Sequence, residues 1–133
     1  MAADTSRIGA SMSTILVVDD EQSFRSLLSE ALGSAGYSVL VASNGAEALE
    51  IAKEKDFQLP LVVTDFTMPG MSGIELLRTL RESRPEIKAV LLTGHWIHPV
   101  PEDINAVYLM KPCPVSKLVA TVKQLLAGSS ASE

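Results

Sequence analysis

Five positions in this 133-residue chain carry side chains that would do chemistry if brought together: Asp19, Asp20, Asp65, Thr93 and Lys111. Carboxylates gathered at one point repel one another unless a cation is present, and a hard, all-oxygen set suits Mg²⁺. Glu21 adds negative potential beside the first pair. Aspartate is ionised at neutral pH and can attack without a general base. What it lacks is relief from repulsion when the electrophile is a phosphoryl group. A metal held by the neighbouring acids, with a lysine on the other side, supplies that relief by positioning and charge neutralisation. A threonine hydroxyl can then hydrogen-bond a phosphoryl oxygen. Gly94, directly after Thr93, leaves such a crevice open. Asp65 is followed by the turn-rich Thr67-Met68-Pro69-Gly70, which can leave its carboxylate accessible and place backbone carbonyls beside it. The chemistry these types point to is phosphoryl transfer to a carboxylate.

For that to happen, elements far apart in sequence must end at one rim. Thr14–Val18 is a short, continuous apolar run, as expected of a strand buried on both faces. Similar runs lie at Tyr37–Ala42, Leu59–Thr64, Ile87–Leu92 and Ala106–Met110. Between them Phe24, Leu27, Leu28, Ala31 and Leu32 follow helical spacing, with Gly33 and Gly36 as a stop. Ala46–Lys55, capped by Ser43 or Asn44, and Gly73–Ser83 predict two more helices. Val115, Leu118, Val119, Val122, Leu125 and Leu126 form the stripe of a last one. Strands alternating with helices predict an α/β fold: a five-stranded parallel sheet, doubly wound, with right-handed crossovers. In such sheets the functional crevice lies at the carboxyl ends of the strands, where these acids, Thr93 and Lys111 stand.

Composition excludes several function classes. Eleven Lys and Arg against sixteen Asp and Glu give a net charge of −5, which argues against a duplex-binding module. No apolar run approaches the ~18 residues of a membrane span, and the first dozen residues lack the apolar core of a secretory signal. Cys113 is the only cysteine, so no intrachain disulfide forms; the composition fits a reducing, cytoplasmic setting. Residues 1–13 and 129–133 predict short polar extensions around a domain at 14–128, a length expected to leave no room for an effector domain.

The motifs ILVVDDE (Ile15–Glu21), VVTDFTMPGMSGIEL (Val62–Leu76), LLTG (Leu91–Gly94) and YLMKP (Tyr108–Pro112) resemble the receiver domain of two-component response regulators. The resemblance covers about Thr14 to Gly128. It implies a flavodoxin-like, CheY-like fold that takes a phosphoryl group from a histidine kinase or histidine phosphotransferase and signals to a protein partner. Asp65 would be the phosphoacceptor. Asp19, Asp20, Asp65 and the carbonyl of Thr67 would hold Mg²⁺. Thr93 would be the switch hydroxyl, Lys111 the phosphate-pairing lysine and Tyr108 an aromatic rotamer switch. The Lys111–Pro112 bond would be cis, aiming the lysine inward. Such a chain is no enzyme beyond its own aspartyl phosphorylation and dephosphorylation, and it is either a stand-alone receiver or one belonging to a hybrid sensor kinase.

Taken singly, each residue also has an ordinary role: Asp20 as an N-cap, Asp65 as a turn former, Thr93 as a strand end, Lys111 as a surface lysine. Four motifs in order on successive strand ends outweigh those roles. Tyr108 stays open between a core ring and a moving one. His95 and His98 lack further nitrogen or sulfur ligands for a transition metal, Trp96 is a cover or a contact residue, and Cys113 reads as a packing residue where the family commonly has Phe. Only twelve residues, 94–105, separate the fourth and fifth strands, with Pro99 and Pro101 among them, so the fourth helix is expected to be shortened. A flavin-type cofactor protein would want a hydroxyl- and glycine-rich loop after the first strand. A haloacid-dehalogenase-like hydrolase would want an acid at Thr67. The remaining alternative is a receiver-like interaction module that works without phosphorylation.

Overall fold

The computed structural model describes residues 13–54, 58–94 and 104–131. Five strands form one sheet: β1 (Thr14–Val18), β2 (Ser38–Ala42), β3 (Leu61–Asp65), β4 (Lys88–Thr93) and β5 (Val107–Met110). All pairs are parallel and the order is β2-β1-β3-β4-β5. Among the described residues the helices are α1 (Gln22–Ser34), α2 (Gly45–Glu54), α3 (Gly73–Ser83) and α4 (Val115–Ala131). This is the doubly wound parallel architecture that the alternation of runs predicts, in the flavodoxin-like strand order that the resemblance implies. None of these helices is long and apolar enough to cross a membrane.

The period of two along each strand sorts the core into two layers. Leu16, Val18, Val62, Ala89 and Leu91 pack with Leu76, Leu77 and Leu80 of α3 and Ala48 of α2. Ile15, Val17, Leu61, Val63, Val90 and Leu92 pack on the other face with Leu28 and Leu32 of α1 and Leu118 and Val122 of α4. Strands buried on both faces show as unbroken apolar runs, which is why they were legible. Their ends shift by one or two residues: the polar Asp65 and Thr93 continue the ladders, opposite Leu92 and Met110. Helix α2 is capped by Asn44, whose Oδ1 accepts the Glu47 N–H at 2.8 Å. Helix α4 runs to Ala131, so its backbone includes residues read above as a polar tail. The extension at 1–12, the end of the second predicted helix at Lys55, most of the short 94–105 crossover, and His95, Trp96 and His98 lie outside the described residues.

Two local devices fix the chain around the strand ends. After β3, a loop returns on itself through the Gly73 N–H, which donates to the Phe66 carbonyl at 2.8 Å. Gly70 within it has φ +87°, in the left-handed region that favours glycine. Helix α3 then starts from a capping box: Ser72 Oγ accepts the Glu75 N–H, and Glu75 Oε1 accepts the Ser72 N–H. At the opposite end of the sheet Arg81 donates to the carbonyls of Ile87 and Asn105, tying α3 to the segments entering β4 and β5.

A β-carbon on Gly73 would collide with the Asp65 carbonyl oxygen, whereas one on Gly33 would meet nothing within 4 Å. Gly73→Ala is therefore expected to destabilise the fold by about 1–3 kcal/mol. Gly33→Ala is expected to stabilise it by about 0.5 kcal/mol through lost unfolded-chain entropy. Urea unfolding of both variants checks this, and equal midpoints would remove the close approach as a constraint.

Candidate functional site

The order β2-β1-β3 means that the chain leaves β1 in one direction and later returns to its other side, so a crevice opens beyond the carboxyl ends of β1 and β3. Asp19 and Asp20 follow β1, and Asp65 is the last residue of β3. One oxygen of each of these carboxylates lies within 4.8 Å of the others. Asp19 and Asp65 are buried at 1% and 7% exposure, and Asp20 is exposed at the rim. Beside them Asp20, Asn44, Gly45, Gly70, Met71 and Glu75 border an open cleft of about 920 Å³.

Lys111 follows β5 and reaches over the same rim. Its Nζ lies 2.8 Å from Asp65 Oδ1 and 3.3 Å from Asp19 Oδ2. The Lys111–Pro112 peptide bond is cis. Burial raises the Asp65 carboxyl above its ordinary value; the Lys111 hydrogen bond opposes this, and the charges of Asp19 and Asp20 add to it. For Lys111, burial works against the charged form, but the hydrogen bond and charge of Asp65, with the charge of Asp19, outweigh it and raise the ammonium's value. The pair thus keeps its lysine firmly protonated while the aspartate sits in a costly, poorly hydrated place.

Asp19 is held from several sides. Its Oδ1 accepts the Glu21 N–H at 2.8 Å, and its backbone carbonyl accepts from Arg25 Nη1 at 2.6 Å. Glu21 is the N-cap of α1 and makes no side-chain cap bond, so Asp20 does not serve as that cap. Thr93 ends β4, buried at 8%, and its carbonyl accepts the Lys111 N–H at 2.8 Å. By strand alternation Thr93 shares the face of Leu91, and Asp65 that of Val63. Tyr108 lies on the Leu91 face, its ring centroid 6.5 Å from that of Phe66. Thr67 is exposed in the bend after β3, two residues beyond Asp65.

The donor set fits a small hard cation. Oxygens on opposite sides of one Mg²⁺ stand about 4.2 Å apart, since each bond is close to 2.1 Å. At most one of the three pairs can lie opposite; adjacent oxygens stand about 3.0 Å apart, so a cluster within 4.8 Å closes further to share one ion. Arg25 and Phe24 escape the sequence motifs. The signal for Arg25 was its place near the positive end of α1, where a cation is disfavoured without a local acceptor. Phe24 fits the apolar stripe of α1 and gave no separate signal.

A sequence model of the response regulator receiver domain matches residues 15–123. The sensor kinase CckA of Brucella abortus is 39% identical over 117 residues, 85% of this chain. The response regulator receiver protein CpdR of the same organism is 36% identical over 119 residues, 86% of this chain and 98% of its own length. This chain spans only 12% of CckA, and 50% and 27% of two curated transcriptional regulatory proteins. A crystal structure of the response regulator protein TrrA from Thermotoga maritima, in complex with Mg²⁺-BeF, has a TM-score of 0.74 and 35% identity, covering 86% of this chain and 99% of that one. With its sheet order and strand-end acids, the chain belongs to the response regulator receiver domains of two-component systems.

Proposed function

We propose that Asp65 accepts a phosphoryl group from the phosphohistidine of a histidine kinase or histidine phosphotransferase, and that the phosphorylated chain signals to a protein partner. The observation that carries this is the Lys111 ammonium 2.8 Å from an Asp65 oxygen, inside a cluster of acids that needs a cation. An Asp65 carboxylate oxygen forms the new bond to phosphorus while the P–N bond of the donor breaks, and the electron pair leaves with the imidazole nitrogen. The product is an acyl phosphate: the carboxylate loses its charge as the departing imidazole nitrogen takes up the electron pair and a proton, and the phosphoryl oxygens bring their own negative charge to the rim. Lys111 follows that charge, exchanging an aspartate oxygen for a phosphoryl oxygen. Thr93 donates its hydroxyl to another phosphoryl oxygen, and Tyr108 is the side chain that responds on the same face.

Asp19, Asp20, Asp65 and the Thr67 carbonyl are the groups that would hold Mg²⁺. When bound, the ion supplies charge neutralisation at the phosphoryl oxygens. The complex of TrrA with Mg²⁺-BeF supports this assignment. The chain acts on itself alone in this scheme, as a cytoplasmic phosphoacceptor and not as an enzyme that turns over a separate substrate.

Incubation with acetyl phosphate and Mg²⁺ is expected to give a single phosphate adduct by intact mass, absent from Asp65→Asn. No adduct at saturating donor would replace this reading with that of a phosphorylation-independent interaction module. Mg²⁺ at ten times its Kd is expected to stabilise the fold by about 1.4 kcal/mol, raising the melting temperature by several degrees. Asp20→Asn is expected to lose most of that increment, as read by thermal unfolding with and without the metal. An unchanged increment in Asp20→Asn would take Asp20 out of the metal site.

A further inference from the structure

The Lys111 ammonium faces more than carboxylates. Its Nζ lies over the ring of Phe24, 5.4 Å from the centroid. Phe24 is the third residue of α1, half-buried, and packs in the same layer as Leu109, Cys113 and Val115, which flank the Lys111 turn. An ammonium has three N–H donors. Asp65 and Asp19 receive two of them, at 2.8 and 3.3 Å, and the negative face of an aromatic ring attracts a cation at this range.

We propose that Phe24 is a positioning residue for phosphorylation, holding the Lys111 ammonium at the rim by a cation–π contact. This rests on the role assigned above to Lys111 at the phosphoryl group. The contact differs from a hydrogen bond in the way the reaction requires. A ring attracts the charge over a broad face, so the ammonium can shift from a carboxylate oxygen to a phosphoryl oxygen without breaking a directional bond. The ring has no acceptor atom, so it does not compete with the phosphoryl group for an N–H. It carries no ionisable group, so it adds nothing to the negative charge that the incoming phosphoryl group must approach. An aliphatic residue would fill the space and exclude water from the ammonium, but return no attraction for the hydration lost.

The test compares Phe24→Leu, Phe24→Tyr and Lys111→Ala in the full chain, with acetyl phosphate and saturating Mg²⁺. Phe24→Leu is expected to slow phosphorylation about threefold to fivefold. Phe24→Tyr, which keeps the π face, is expected to stay within about twofold of the parent, and Lys111→Ala to fall by about a hundredfold. A second readout follows the ring directly. The ε-methylene protons of Lys111 are expected to show an upfield ring-current shift in the parent and in Phe24→Tyr, and to lose it in Phe24→Leu. Equal slowing in Leu and Tyr would assign Phe24 to packing alone and overturn the proposal. A parental rate in Phe24→Leu with a slow Lys111→Ala would overturn it while leaving the role of Lys111 standing. A parental rate in Lys111→Ala would instead remove that role, and the proposal with it.

Discussion

Carboxylates withdrawn from water at one rim repel one another, and the carboxyl end of this sheet is organised around that repulsion. Asp65 is the residue on which the strain falls, because burial costs its charge and two further acids stand beside it. Among the described residues the fold answers with the Lys111 ammonium, 92 positions from Asp19 in sequence. Lys111 comes from beyond the edge strand β5 and must reach past β4 to meet Asp65. Such a pair is weak evidence for stability, since taking both ions out of water consumes much of their attraction. Its effect is instead to hold the Asp65 carboxyl group and the Lys111 ammonium against each other at the rim.

The two faces of the sheet divide the remaining work. Asp65, with Lys111 and Phe24 around it, belongs to the layer of α1 and α4. Thr93 and Tyr108 belong by alternation to the layer of α2 and α3, where Tyr108 meets Phe66. Phe66 is the immediate neighbour of Asp65, so one peptide unit separates the charged cluster from the aromatic pair on the other side. Period-two geometry thus sets charge on one side of the strand and ring packing on the other, with little chain between them. The opposite end of the sheet is held by a different cation. There Arg81 ties α3 to the carbonyls of Ile87 and Asn105.

Much of this was legible because the relevant physics is local. Strands buried on both faces spell themselves as apolar runs, and the acids, threonine and lysine that close those runs state the chemistry of the rim. Strand ends are less legible, because polarity is a poor stop signal: Asp65 and Thr93 still pair in the ladder, since their backbones do not share the polarity of their side chains. What stayed hidden depends on packing between distant segments. Phe24 satisfies the helical stripe whether or not a cation lies over its ring. Arg25 shows no partner until the turn after β1 brings the Asp19 carbonyl within 2.6 Å. Neither contact has a spacing that a single sequence can display.

The bond from the Glu21 N–H to Asp19 Oδ1 joins two explanations that are usually set against each other. An aspartate that binds the amide two residues on is a turn former, bending the chain out of β1 toward α1. The same side chain, through its other oxygen, faces Lys111. Asparagine would serve the bend equally well and bring no charge to the rim. The backbone therefore leaves the choice of residue at position 19 undecided, and the negative charge alone distinguishes the acid from its amide.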